Sequence, residues 1–187
     1  LSEYTGIKAV LGISKSENTN PYLNTDTFLQ LDLLDFEALE KAITNFQPTH
    51  ILHTAALTSV EVCEQQPELA QQINVELPKK LAEICKKYSI HYTFLSTDFV
   101  FDGNNGPYKE TDVVSATNEY GQSKIDAEKA ILANNEEAAI LRTILVYGAI
   151  PDKNRSNLVL WAKKQLENGA SIKVVSDQWR MPTWVDD

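Results

Sequence analysis

The sequence predicts an α/β protein, a doubly wound parallel sheet, and three observations predict it. Short apolar runs alternate with longer segments of helical periodicity. The runs are continuously apolar instead of alternating with polar residues, and small or hydroxylated residues close them. Strand–helix alternation means parallel strands joined by crossover helices. Continuous apolar strands mean a sheet covered on both faces. Small residues at the carboxyl ends of such strands mark where a ligand approaches the backbone.

Taken in order, IKAVLGIS is a strand ending at Gly12 and Ser14. DFEALEKAITNFQP is a helix: Phe36, Leu39, Ile43 and Phe46 recur at helical spacing, Asp35 caps the start and Pro48 ends it. HILHTAA is a second buried strand. PELAQQINVELPKKLAEICKKY is a helix with Leu69, Ile73, Leu77, Leu81, Ile84 and Tyr88 on one face, Pro67 at its start and Pro78 kinking its middle. HYTFLST is the third strand, NEYGQSKIDAEKAILANN a helix, and AAILRTILVYG the fourth strand. NLVLWAKKQLENG is a helix ending at Gly169, and SIKVV a short strand. Strands ending near Ser14, Ala55, Thr97 and Tyr147 should then lie parallel in one sheet, with helices on both faces.

The 187 residues suffice for one substantial core, and 43% hydrophobic with 23% charged residues is an ordinary globular balance. A net charge of −9 argues against nucleic-acid and anionic-membrane partners. Cys63 and Cys85 have no metal-like spacing and read as buried free thiols in a reducing compartment. No apolar run reaches the ~18 residues of a membrane span, no signal peptide is seen, and the cytoplasm is the default location. His50, His53 and His91 lack metal spacing and read as core or edge residues, with no metal expected.

The chemistry centres on Tyr120 and Lys124 in NEYGQSK. The same spacing occurs at Tyr4 and Lys8, but Gly6 and a following strand would keep those side chains off one face. Tyr120 and Lys124 begin a helix and project together, one crossover after the strand that ends in Ser96-Thr97. Reducing a carbonyl by hydride transfer needs a proton for the developing alkoxide. A tyrosine at pKa ~10 is poorly matched to neutral pH, and a nearby ammonium favours its phenolate. Thr97 adds a hydrogen bond to the carbonyl oxygen. That set suits a reductase.

FLSTDFVFDGNNGPYKETD, NEYGQSKIDAEK, LRTILVYG and VVSDQWRMPT together resemble the extended short-chain dehydrogenase/reductases, and within them the sugar-nucleotide-binding dTDP-4-dehydrorhamnose reductases. The resemblance implies a Rossmann-like fold. It implies catalytic roles for Thr97, Tyr120 and Lys124, with Tyr120 the proton donor and Lys124 also holding the nicotinamide ribose. Cofactor contacts would come from Ser14 and Lys15, from Asp32 and Leu33 at the adenine, from Ala55 and Ala56 under the pyrophosphate, and from Thr143 and Ile144 near the nicotinamide. Asp98, Asn157 and Arg180 are the substrate-side candidates; an arginine at 180 can pair with a nucleotide diphosphate. DGNNGPYKETD is a surface turn that orders near the substrate.

The sequence departs from the family pattern. It shows no opening strand with Gly-x-x-Gly-x-x-Gly, Leu1 falls near the end of the first helix, and Asp187 falls inside the approach to a smaller substrate domain. The expectation is a Rossmann-like sheet lacking its first strand, glycine-rich loop and C-terminal substrate domain. Residues 1–150 form a partial dinucleotide-binding domain, and 151–187 the last sheet elements and the start of the substrate region. Without the phosphate cradle, dinucleotide binding should be weak. Leu145 replaces a larger or polar residue of the family, which leaves the sugar open. ISKS has no acid for a ribose 2′-hydroxyl, whereas Lys15 can meet a 2′-phosphate, so NADPH is favoured over NADH.

The function implied is NAD(P)H-dependent reduction of a 4-keto sugar nucleotide such as dTDP-4-dehydrorhamnose, with a homodimer left open. Dehydration would want a second carboxylate after Asp98, where Phe99 stands. Epimerisation would want an acid/base pair across the sugar. A non-catalytic regulatory subunit that binds a dinucleotide or sugar nucleotide is the alternative from another class, and the intact Thr97, Tyr120 and Lys124 argue against it.

Overall fold

The computed structural model describes residues 6–18, 20, 23–148, 157–177 and 181–185. The chain forms two compact units: Leu1–Asn18 with Leu23–Arg142, and Thr19–Tyr22 with Thr143–Asp187. The first contains β1 (Gly12–Ser14), β2 (Phe28–Gln30), α1 (Phe36–Phe46), β3 (His50–His53), α2 (Val60–Gln65), α3 (Pro67–Gln71), α4 (Leu77–Tyr88), β4 (His91–Thr97), α5 (Glu119–Asn134) and most of β5 (Ala139–Thr143). The second contains β6 (Val146–Tyr147), α6 (Leu158–Glu167) and β7 (Thr183–Trp184).

Three of the strand pairs run parallel. β1 runs parallel to β2 with Gly12 opposite Phe28, and β3 runs parallel to β4 from His50↔His91 to His53↔Phe94. β4 is the middle of the β3-β4-β5 group, and β6 pairs parallel with β7. The expected single sheet is not seen as one ladder: among the described residues the strands fall into three hydrogen-bonded groups. AAILRTILVYG is two strands, because β5 bonds to β4 whereas β6 bonds to β7, with the Thr183 amide already donating to the Leu145 carbonyl. SIKVV is no strand. Val174 and Val175 are exposed, and a β-prone run with neither a partner strand nor a face to cover gains nothing from extension.

The core of the first unit shows why these segments fold. α1 contributes Leu39 and Ile43, α4 contributes Leu77, Leu81 and Ile84, and α5 contributes Ala127 and Ile131. All pack with Tyr92 and Phe94 of β4, supported by Ile51 of β3 and Ile140 of β5. Burial of each large side chain stabilises the unit by about 1.5–3 kcal/mol. The alternate residues of the outer strands, Leu52 and Leu141, are about half exposed. Helices on both faces were expected; the helices of this unit instead share one face of β3-β4-β5.

α1 is capped as expected, the Asp35 carboxylate accepting from the Ala38 amide. Three elements were not anticipated: β2, only three residues long, α2, capped by the Ser59 hydroxyl at the Val62 amide, and the two-residue β7. Pro78 does not kink a plain α-helix. A π-helical turn over Gln72–Glu76 joins α3 to α4, and Pro78 falls in the first turn of α4, where its missing N–H costs no bond. The turn shifts burial from Ile73 to Asn74 and Val75. No helix of the described residues is long and apolar enough to cross a membrane.

Candidate active site

The site grows from two junctions in the first unit. At the carboxyl end of β4, Thr97 leads into a 3-10 turn, Asp98–Val100. Its hydroxyl accepts from the Phe99 amide (3.3 Å) and donates to Asp98 Oδ1 (3.2 Å). The second junction is the start of α5. Asn118 Oδ1 accepts from the Gly121 amide (2.8 Å), and Glu64 of α2 accepts from the Glu119 amide (2.9 Å). Gly121 lets the two junctions touch, since a Cβ there would stand 2.2 Å from the Phe99 carbonyl oxygen. Backbone packs on backbone at that point, with the Phe99 and Tyr120 rings edge-to-face at 5.8 Å.

Tyr120 is therefore carried to Thr97. Its phenol pKa is raised by burial, opposed by a hydrogen bond with Thr97 and reinforced by Cys63 and Asp98. Lys124 is buried, 2% exposed, with Nζ donating to the Leu95 carbonyl (2.7 Å) and lying 4.0 Å from the Phe94 ring centroid. Burial lowers its pKa to about 8, opposed by Glu128. The sequence reading had the lysine pulling the phenol pKa down. That expectation is corrected: burial dominates the phenol, and the ammonium is turned to a main-chain carbonyl on β4.

A further residue, Asn74, escaped the sequence reading. It is 1% exposed on the π turn, where its Oδ1 accepts from the Leu57 amide (2.8 Å). Its Nδ2 donates to the Leu57 carbonyl (3.0 Å) and to Ser123 Oγ (3.0 Å), and Ser123 in turn donates to the Tyr120 carbonyl (2.7 Å). Asn74 thus ties the segment after β3 to the helix of Tyr120. The available signal was an asparagine inside an otherwise apolar helical face, directly before a proline-containing turn.

The other candidates lie as follows. Ser14 ends β1 and Lys15 follows it, Nζ 2.7 Å from Asp32 Oδ2. That contact, then the Leu34 amide, lowers the Asp32 pKa. The lysine and aspartate assigned to different parts of a cofactor are thus paired with each other. Leu33 packs on the core, and Ala55 and Ala56 are half-buried just after β3. His53 is buried with Nδ1 2.7 Å from the Tyr92 hydroxyl, and burial followed by the Lys124 charge pushes its pKa down to about 3. Cys63 and Cys85 are buried free thiols. In the second unit, Thr143 closes β5 and Ile144 follows it. Asn157 caps α6 at the Leu160 amide and donates to the Gly148 carbonyl. Arg180, and Tyr4 of the second tyrosine–lysine pair, lie outside the described residues.

The loop DGNNGPYKETD carries its own order. Phe101 and Tyr108 stack at 4.3 Å, and the Tyr108 hydroxyl donates to Asp102 (2.5 Å) and accepts from the Asn105 amide (3.0 Å).

At the carboxyl end of β4, a hydroxyl, a facing phenol and a buried lysine stand together on an α/β fold. The chain belongs to the RmlD substrate binding domain family, whose model matches residues 7–187. It is 38% identical over 160 residues to methionine adenosyltransferase 2 subunit beta of Pongo abelii, covering 86% of this chain and 48% of that protein. It is 35% identical over 158 residues to the probable low-salt glycan biosynthesis reductase Agl14 of Haloferax volcanii, covering 82% and 52%. The chain spans about half the length of the curated relatives it matches. Its fold is that of a dTDP-4-dehydrorhamnose reductase from Bacillus anthracis solved with NADP: TM-score 0.82, 24% identity, 98% of this chain and 69% of that one. Further dTDP-4-dehydrorhamnose reductases are among its structural neighbours.

Proposed function

We propose that the chain is the dinucleotide-binding part of an NAD(P)H-dependent reductase acting on a 4-keto sugar nucleotide of the dTDP-4-dehydrorhamnose kind. The observation that supports this reading best is Thr97 facing the Tyr120 hydroxyl at the carboxyl end of β4, with Lys124 one turn further along α5. A nicotinamide dinucleotide bound here would supply the hydride. Tyr120 is the proton donor to the alkoxide oxygen, and its raised pKa keeps it protonated until that charge develops. Thr97 offers its hydroxyl to the same oxygen by leaving Asp98. Lys124, charged at neutral pH, stabilises the phenolate left behind when its ammonium swings from the Leu95 carbonyl. The half-buried Ala55 and Ala56 give a dinucleotide a close approach to the backbone, and Lys15 offers a charge to a 2′-phosphate. Tyr120 and Lys124 suit the nicotinamide and its ribose, Ala55 and Ala56 the turn under the pyrophosphate and ribose, and Lys15 the adenosine side of the cofactor. No Gly-x-x-Gly-x-x-Gly occurs among these residues to fit its pyrophosphate. Asp98, Asn157 and Arg180 remain the proposed substrate contacts.

A second reading has its own support, the 38% identity to a subunit of methionine adenosyltransferase 2. In it the same pocket binds a nucleotide and the protein serves a partner enzyme. One experiment separates the two. The full-length protein is assayed for NADPH oxidation against a panel of 4-keto sugar nucleotides and, in parallel, for co-elution with a methionine adenosyltransferase catalytic subunit. Turnover that disappears in Tyr120→Phe supports the reductase. No turnover across the panel, with co-elution, supports the subunit.

A further inference from the structure

Behind the proposed site, four segments meet at one buried carboxylate. Glu128 lies on α5 one turn beyond Lys124 and is 5% exposed. Its Oε1 accepts from the Ser96 hydroxyl (2.5 Å) and from Arg142 Nε (3.0 Å), and its Oε2 accepts from an Arg142 terminal nitrogen (2.6 Å). Ser96 is the β4 residue before Thr97, and Arg142 belongs to β5. The other terminal nitrogen of Arg142 donates to the Glu110 carbonyl (3.1 Å), and the guanidinium lies 5.3 Å from the Phe101 ring centroid. Phe101 and Glu110 bracket the loop whose stacked rings and Asp102–Tyr108 bond were described above.

A buried ion pair is weak evidence for stability, because desolvation offsets most of the Coulomb gain and apolar residues of similar volume often serve as well. What this pair supplies is direction. A forked guanidinium–carboxylate contact fixes both planes, and its remaining bonds reach two further segments, Ser96 of β4 through Oε1 and the Glu110 carbonyl through the third guanidinium nitrogen. We propose that Glu128 is a positioning residue: through Ser96 and Arg142 it holds the β4 end that carries Thr97, and the 101–112 loop, in register with the helix that carries Tyr120 and Lys124. Its catalytic consequence rests on the reductase reading, whereas its structural half stands without it. Glu128 also acts on Lys124 directly, as the carboxylate that favours the lysine's charge against burial. The charged and titratable groups that interact with Lys124 are Glu128 on its own helix and His53 at the end of β3, with Arg142 of β5 beyond Glu128.

The test is Glu128→Gln in the full chain, read by hydrogen exchange and by a lysine side-chain NMR titration. The amide keeps the shape and removes the charge. Exchange over 101–112 should accelerate about tenfold or more while α4 is unchanged, and the Lys124 midpoint, about 8 in the parent, should move to lower pH. Arg142→Lys keeps a positive charge opposite Glu128 but loses the fork. It should loosen the loop equally and leave the Lys124 midpoint in place. Where turnover is present, Glu128→Gln should lower it ~10–10²-fold, the scale of a slightly misplaced reacting group. Parent-like loop exchange and an unmoved Lys124 midpoint in Glu128→Gln would overturn the proposal. If that variant does not fold, parent-like loop exchange in both Arg142→Lys and Ser96→Ala would overturn it. A parent without turnover counts against the reductase reading, and the exchange and titration results then decide this inference by themselves.

Discussion

Lys15 and Lys124 were both assigned to a cofactor, yet the structure gives them opposite physical characters. The Lys124 ammonium is enclosed, held by one main-chain carbonyl and an aromatic face, and its pKa falls to about 8. The Lys15 side chain is 75% exposed and its partner Asp32 44% exposed. Such an exposed pair contributes little to stability, because water and salt already screen both charges. A buried lysine has little solvation left to lose, so it responds sharply to any charge that forms beside it. An exposed one is already screened and already paired, so a phosphate must compete with both water and Asp32. On the proposed reading, the interior lysine would serve the chemistry and the rim lysine a modest choice between related ligands.

The strongest test of that contrast is Tyr120→Phe, which should lower turnover by ~10²–10⁴ without changing cofactor affinity or melting temperature; a parent-like rate would end the catalytic reading. Next comes Lys124→Met, expected to weaken both turnover and dinucleotide binding. It also has a signature in stability. Because the folded pKa lies below the unfolded value, the unfolded chain binds more protons between about 8 and 10.5, so this group makes stability rise with pH across that window. Chemical denaturation at pH 7.5 and 10 should show that increment in the parent relative to Lys124→Met, and equal slopes would remove the burial argument. Gly121→Ala should cost about 1–3 kcal/mol, since the new Cβ meets a main-chain oxygen that has no rotamer to escape through. Lys15→Asp should shift the NADPH-to-NADH affinity ratio by about tenfold, or ~1.4 kcal/mol, measured by titration calorimetry. Lys15→Ala should leave the denaturation midpoint close to that of the parent. A larger loss at Lys15 than at Lys124 would invert the comparison.

Much of this was legible in the sequence, and the legible parts share a cause. α1 announces itself through its Asp35 cap and its periodicity, because those signals lie close together in the chain. The nearness of Tyr120 and Thr97 followed from strand–helix order, which topology fixes. What failed depends on partners distant in sequence. SIKVV has strand propensity and no ladder, and ILRTILVYG changes partner midway. The Lys124 ammonium finds a carbonyl on β4, and Lys15 finds Asp32. Asn74 was missed because its partners, Leu57 and Ser123, lie 17 and 49 residues away in the chain.

That last miss has a consequence for how this helix tolerates change. A π turn is an α-helix carrying one residue more than its hydrogen-bond ladder needs. Removing any one residue of Gln72–Glu76 would let the ladder close as ordinary α-helix, with no bond lost locally. It would also rotate everything before the deletion by ~100° relative to everything after it. Ala70 and Asn74 could no longer both face inward with Leu77 and Leu81, and the two main-chain groups of Leu57 would lose their acceptor and donor together. The surplus residue acts as a phase setting between two halves of one helix, so shortening this segment by one residue should do more harm than substituting any exposed residue within it.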